Sequence, residues 1–209
     1  MKTRMKRVPA LLLTLAALML VVAGCGGKAK ERTLTVDDLA GVVGPAPDTP
    51  AGASYQSNGD PTEIGITDLR DRAATASDRA TVALFEKAGL VRIYQRSFSG
   101  AINVADGTAY LFKGSAGAGD ALTGLRSSLV QQAKPDRKLT EIAANGLGDE
   151  AWGAHLTGAP EAGLFLFRTS NLVVVTDMSC DTSCGLDIVA AARAYADAIA
   201  ARALELESK

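Results

Sequence analysis

Apolar side chains recur at helical spacing in three parts of the chain. A helix is predicted over residues 77–89, where a glycine stands at the position that commonly ends a helix. A second is predicted over 119–135, with Leu and Ala every three or four residues and a proline at the stop. A third, over 188–206, carries one apolar stripe with its charged residues largely off that stripe. A short capped helix is also predicted just after Thr35.

Strands are predicted where Val, Ile, Leu, Tyr and Phe are concentrated between turn residues. The best hairpin pairs residues 163–169 with 172–178 across Ser170-Asn171, and both runs are too apolar to leave either with a fully hydrated face. A bulge or break is expected at Asp106-Gly107. The predicted strands cover residues 90–99, 101–113, 139–144, 150–157, 163–169 and 172–178.

The order of these elements indicates the fold class. Short links between successive strands favour antiparallel pairing, and the helices do not alternate one for one with the strands. We therefore predict an α+β fold, in which a twisted antiparallel sheet has helices packed on one face and a long helix closes the chain.

The N-terminus has the three parts of a secretory signal. Four basic residues precede an uncharged run, 8–22, which is shorter than the ~20 residues that a membrane-spanning helix needs. Val22-Ala23-Gly24-Cys25 then resembles the lipobox of bacterial lipoproteins. That resemblance implies cleavage before Cys25 and a diacylglycerol on its thiol, which would hold the protein on the extracytoplasmic face of the cell membrane.

Cleavage would define three parts: a signal peptide (1–24), an anchor, tether and Pro-rich loop with a short helix (25–61), and a single α+β domain (62–209). The cut removes four Lys/Arg residues and no acidic residue, leaving 18 basic and 23 acidic residues. This mildly acidic balance offers no basic surface for nucleic acid, so the lipid is the expected membrane contact.

Two cysteines remain once Cys25 carries a lipid. Cys180 and Cys184 form an even count in an oxidising compartment, and on a helical turn their Cα atoms would lie about 6 Å apart, which a disulfide tolerates. A soft metal site is the alternative, with Met178 and the only histidine, His155, as further ligands for Cu(I). Thiol redox exchange is a third possibility, although the chain contains no C-x-x-C motif.

A further resemblance rests on Gly146-Leu-Gly-Asp-Glu-Ala-Trp152, followed by an apolar hairpin and an Ala-rich closing helix. This arrangement is similar to a broad group of actinobacterial lipoproteins and ectodomains of bacterial serine/threonine kinases, over about residues 77–206. The resemblance implies a sensing or ligand-binding module and provides no catalytic residues. Related domains often contain disulfides.

No residue set indicates catalysis. The single histidine has no G-x-S-x-G nucleophile motif to serve, and Asp149 and Glu150, being adjacent on a strand, cannot act as a carboxylate pair. The chain is therefore expected to be a non-enzymatic binding or sensor module without cofactor, for a small molecule, lipid or protein. Its alternatives are an accessory envelope protein acting through protein contacts, and copper or redox handling. The candidate ligand-binding residues are Trp152, Tyr94 and His155.

Overall fold

The computed structural model describes residues 33–44, 46, 55–100, 103–131, 137–180 and 186–209. Residues Glu31–Lys209 belong to one compact unit. The helices are α1 (Val36–Val43), α2 (Ile66–Arg72), α3 (Ala76–Ala88), α4 (Ser115–Gln131) and α5 (Ile188–Glu207). The strands are β1 (Gln56–Ser57), β2 (Thr62–Ile64), β3 (Leu90–Ser99), β4 (Val104–Phe112), β5 (Lys138–Ile142), β6 (Glu150–Thr157), β7 (Glu161–Thr169) and β8 (Leu172–Cys180).

All eight strands form one antiparallel sheet in the order β1-β3-β4-β8-β7-β6-β5, and β2 also pairs with β3. The predicted α+β class, the antiparallel sheet and the long closing helix are confirmed. The predicted hairpin is also confirmed: β7 and β8 pair over their whole length, and Ser170 in the turn between them has a positive φ of 49°.

The helices cover both faces of the sheet, which corrects the expectation of a single covered face. Alternate residues of a strand point to opposite faces, and in β7 and β8 both sets are apolar. Phe165 and Phe167 pack on the side of α1 and α5, which we call the α5 face. Leu164 and Leu166 pack on the side of α3 and α4, which we call the α4 face.

The N-terminal part of the described chain is packed into the domain rather than lying outside it. In α1, Leu39, Val42 and Val43 are fully buried in the core of the α5 face. Leu34 is also buried there, and β1 joins the sheet edge. The folded unit therefore extends further toward the N-terminus than the expected boundary at residue 62.

Three local predictions differ from the structure. Helix α4 begins at Ser115, four residues before the expected start. No bulge interrupts β4, since Asp106 and Gly107 keep regular partners in both neighbouring strands. Glycine is needed at 107 for a different reason: a Cβ there would lie 2.7 Å from the Tyr195 hydroxyl of α5. By contrast, α3 ends as predicted, with Gly89 at a φ of 77°.

Candidate functional site

A groove with a volume of about 290 Å³ lies between α2 and α3. Apolar side chains form most of its lining. Val82 and Phe85 at its base are buried, and Phe85 is also part of the core of the α4 face. Small-molecule sites are commonly apolar clefts with a few polar groups, with volumes from about 300 Å³ upward. The groove lies at the lower end of that range. Its lining residues are Leu69, Arg72, Ala73, Asp78, Thr81, Val82 and Phe85.

Local sequence signals place the two helices that form the groove. Thr75 caps α3 in a reciprocal capping box: the Asp78 amide donates to the Thr75 hydroxyl at 3.1 Å, and the Thr75 amide donates to the Asp78 carboxylate at 2.8 Å. Gly65 precedes α2, and its amide donates to Asp68 at 2.7 Å. Each helix therefore begins at a defined residue, which fixes where each wall of the groove starts.

Helix α2 is held less firmly than α3. None of its seven residues is fully buried, and Leu69 packs only partly against the core of the α4 face. Exposed Arg70 on α2 forms an ion pair with Glu86 on α3. Exposed pairs of this kind contribute little to stability. The α2 wall of the groove can therefore adjust at low energetic cost.

Two charged residues of opposite sign stand at the rim of the groove. Asp78 supplies a carboxylate, and hydrogen bonds from the Thr75 backbone and side chain lower the pKa of this carboxyl further below its ordinary value. Arg72, an exposed residue in the last turn of α2, supplies a guanidinium. The groove thus combines an apolar base with one cation and one anion at its edge.

A pair of carboxylates forms a second polar feature, on the α4 face of the sheet. Asp106 of β4 and Asp177 of β8 are direct cross-strand partners. The Ser97 hydroxyl donates to Asp106, whereas the buried Oδ1 of Asp177 has no hydrogen-bond partner among the described residues. Burial and, second, the charge of Asp106 raise the pKa of Asp177 to about 6, opposed by Arg137.

The three candidate ligand-binding residues are not brought together. Trp152 is only 5% exposed and belongs to the core of the α4 face, with the Arg126 guanidinium 5.8 Å from its ring centre. His155 points to the other face of the same strand and pairs with Glu161 at 2.8 Å. Tyr94 packs against the core of the α5 face on β3, four strand spacings from β6, or about 19 Å. None of the three lines the groove.

The residues of the alternative metal site are separated by α5. Met178 is buried, and its sulfur accepts a hydrogen bond from the Tyr55 hydroxyl at 3.7 Å. Gly163 stands between Met178 and His155 in the sheet, and a Cβ on it would come within 2.7 Å of Ala192 of α5. Among the described residues, no group of three or more His, Cys, Asp or Glu side chains could hold a metal ion.

Cys180 is 3% exposed and forms a disulfide bond. Cys184 and Cys25 lie outside the described residues, so the predicted Cys180–Cys184 pairing and the lipidation of Cys25 stay predictions. No helix in the described part of the chain is long and apolar enough to cross a membrane.

The segment 146–152 has a structural role in the hairpin turn. Gly146 and Gly148 have positive φ values of 84° and 59°, and a Cβ on Gly148 would overlap the Arg168 carbonyl oxygen. The next residue, Asp149, accepts hydrogen bonds from the Ser170 amide at 2.9 Å and the Arg168 guanidinium at 3.2 Å. The segment therefore fastens the β7–β8 turn, and its residues do not line the groove.

Sequence reasoning missed the groove because it predicted no helix over α2. Ile66, Leu69 and Ala73 do recur at helical spacing, and Gly65 followed by Asp68 resembles a helix start. Two large apolar residues in seven positions are a weak periodic signal. The α3 wall, by contrast, lies within a predicted helix.

Comparisons with known proteins show little similarity. No protein-family model matches the chain, and no curated protein matches it. Among solved structures, the chain is similar to the extracellular domain of PknH from Mycobacterium tuberculosis, with a TM-score of 0.42 and 12% sequence identity. That alignment covers 84% of this chain and 92% of the other. A similarity of this size assigns neither a family nor a function.

Proposed function

We propose that this protein is a lipid-anchored extracytoplasmic binding module without catalytic activity, and that its ligand occupies the groove between α2 and α3. The observation that carries the proposal is the groove itself, with its apolar base at Val82 and Phe85 and its two opposite charges at the rim. Such a site suits a small molecule with an apolar body and one charged group. The signal and lipobox pattern ending at Cys25 supports the anchored, extracytoplasmic part.

Two other depressions in the described part of the chain support the proposal less well. Both lie along α4 and are more open to solvent than the groove. One is lined mainly by polar groups that include Glu150 and Arg168. The other lies beside the exposed ion pair of Arg126 and Glu141. Neither has a base formed by the buried core.

An accessory protein that acts through protein contacts would be expected to expose a contiguous apolar patch. Among the described residues, the exposed large apolar side chains are Val91, Val104, Val130 and Leu204, which lie on four different elements. Copper binding needs a free thiolate, whereas the Cys180 sulfur is already bonded. That bond is equally the form expected of a structural disulfide and of an oxidised redox pair, so it does not favour redox exchange. Neither alternative gains a supporting observation.

The groove is tested by filling it. Thr81→Trp places a large side chain from α3 into the groove, and Ala83→Trp places the same side chain at an exposed position of α3 that does not line it. Binding of 1-anilinonaphthalene-8-sulfonate, an apolar ring system with one sulfonate, is followed by fluorescence titration. We expect Thr81→Trp to raise the dissociation constant at least tenfold and Ala83→Trp to leave it within twofold.

Unfolding midpoints measured on the same samples show whether each variant is folded. Equal binding by the two folded variants would place the ligand site elsewhere. Native mass spectrometry of the full chain purified from its own membrane then identifies a co-purifying molecule, which Thr81→Trp should lose.

The anchor is tested separately. Cys25→Ser removes the acceptor thiol, so we expect the variant to be released from the membrane or to remain unprocessed. Intact-mass measurement of the unaltered chain should show residues 25–209 with an added diacylglycerol. A mature chain that lacks this mass would refute lipid anchoring and leave the groove assignment unaffected.

A further inference from the structure

The buried side chain of Asn171 joins the N-terminal segment to one end of the sheet by hydrogen bonds. Asn171 accepts a hydrogen bond from the Leu34 amide at 3.0 Å and donates to the Leu34 carbonyl at 3.1 Å. It also donates to the Phe112 carbonyl at 2.9 Å. This end comprises the β7–β8 turn, the end of β4 and the start of β3, and we call it the Asn171 end.

The chain between Cys25 and this end is short. Nine residue steps separate Cys25 from Leu34, which span at most about 32 Å when fully extended. A lipid on Cys25 would therefore hold the domain by its Asn171 end, with Leu34 no more than about 32 Å from the lipidated residue.

We infer that the Asn171 end of the domain faces the membrane and that the opposite end of the sheet faces away from it. This inference rests on the proposed lipid anchoring of Cys25. The opposite end contains the pairing of Gln56 with Ser99, nine residues along β3 from Leu90. At about 3.3 Å per residue, the two ends of this strand are about 30 Å apart.

The orientation determines which surfaces reach the aqueous compartment. Asp106 and Asp177 lie toward the far end, since Asp177 is five residues along β8 from Leu172, or about 16 Å. The groove lies to the side of the sheet. Gly89 lies at the Asn171 end, and Val82 is seven residues from it along α3, or about 10 Å. A small ligand could therefore enter the groove from the water layer above the bilayer without detaching the domain.

The test compares two exposed positions, Lys113 beside the Asn171 end and Gln56 at the far end. Lys113→Cys and Gln56→Cys are each introduced into the full mature, lipidated chain and labelled with the same fluorophore. The chains are reconstituted into phosphatidylcholine vesicles in which a fraction of the lipid carries a nitroxide quencher on its headgroup. The parent chain, treated in the same way, corrects for any label at its own cysteines.

We expect the headgroup quencher to reduce the Lys113→Cys signal at least threefold more than the Gln56→Cys signal. Inserting twenty Gly/Ser residues between Lys30 and Glu31 should bring the two values together, because the longer tether no longer restricts the domain. Equal quenching in the unaltered tether, or stronger quenching at Gln56→Cys, would overturn the inference. Flotation of the same vesicles reports anchoring independently, so failure of the anchor and failure of the orientation give different results.

Discussion

Replacing Asn171 by alanine removes the side-chain hydrogen bonds that join Leu34 to the β7–β8 turn and to the end of β4. Asn171 is 2% exposed, and its side chain makes all three hydrogen bonds to backbone groups of Leu34 and Phe112. Those two residues are themselves buried, at 2% and 1% exposure. The backbone groups left behind would therefore lose their partners in a place that water reaches poorly.

The size of the effect follows from this count. A buried polar group that loses its partner costs about 1–3 kcal/mol, so three groups at the lower limit give about 3 kcal/mol. A domain of this size is stable by about 5–15 kcal/mol in total. The substitution should therefore lower the melting temperature by about 6–12 °C, at ~2–4 °C per kcal/mol.

Urea unfolding followed by circular dichroism measures the change. Asn145→Ala is the matched control, because Asn145 is exposed and uses its backbone carbonyl, which accepts from Arg193 at 2.7 Å. We expect the control to stay within about 0.5 kcal/mol of the unaltered protein. If Asn171→Ala were also within about 0.5 kcal/mol of the unaltered protein, the hydrogen bonds of Asn171 would contribute nothing to stability, and the role given to them would be refuted.

Three further predictions concern pH, backbone conformation and the disulfide. The pKa of Asp177 is raised to about 6 in the folded protein, above the ~4 of an unfolded chain, so its stabilising contribution is complete below pH ~4 and lost as the pH rises through 6. Asp177→Asn should therefore raise the free energy of unfolding in urea by about 3 kcal/mol at pH 7.5, at ~1.4 kcal/mol per pKa unit, and change it little at pH 4. Equal gains at both pH values would contradict this. Gly148→Ala should lower the free energy of unfolding by about 2 kcal/mol or more, because it adds steric overlap to backbone strain. Gly59 has a φ of 85° and open space around it, so Gly59→Ala should lower it by only about 1 kcal/mol. Similar thermal midpoints for the two would show that overlap adds nothing. Non-reducing peptide mapping should find Cys180 linked to Cys184, and Cys184→Ser should lower stability by about 2 kcal/mol; a link from Cys180 to any other thiol would disprove the pairing.

Much of the central sheet could be predicted from local pattern. The apolar runs of β7 and β8 and the two turn residues between them indicate the hairpin, and Gly89 marks the end of α3. The covered second face was also implied, because Leu164 to Phe167 leave no polar side to expose. The prediction that helices cover only one face was therefore inconsistent with the apolar pattern of this strand.

Contacts between distant parts of the chain could not be predicted in this way. Nothing local to Leu34 indicates a partner 137 residues further on, and α1 owes its burial to packing on α5, β3 and β4. The candidate site was missed for a related reason, since it needs α2, whose seven residues give too short a periodic signal. Trp152 and His155, by contrast, could have been separated from the sequence alone, because positions three apart on a strand point to opposite faces.

Helix α1 and its partners also bear on the order in which the domain folds. Helix α1 packs on α5, the last helix of the chain. Leu34, which precedes α1, is hydrogen-bonded to Asn171 in the turn before the last strand. Contacts of such large sequence separation require closing a long loop and are generally slow to form. We therefore expect the N-terminal segment, although synthesised first, to be among the last to dock. A chain that ends before α5 would leave the apolar residues of α1 without the part of their cover that α5 provides, and such exposed surface promotes aggregation.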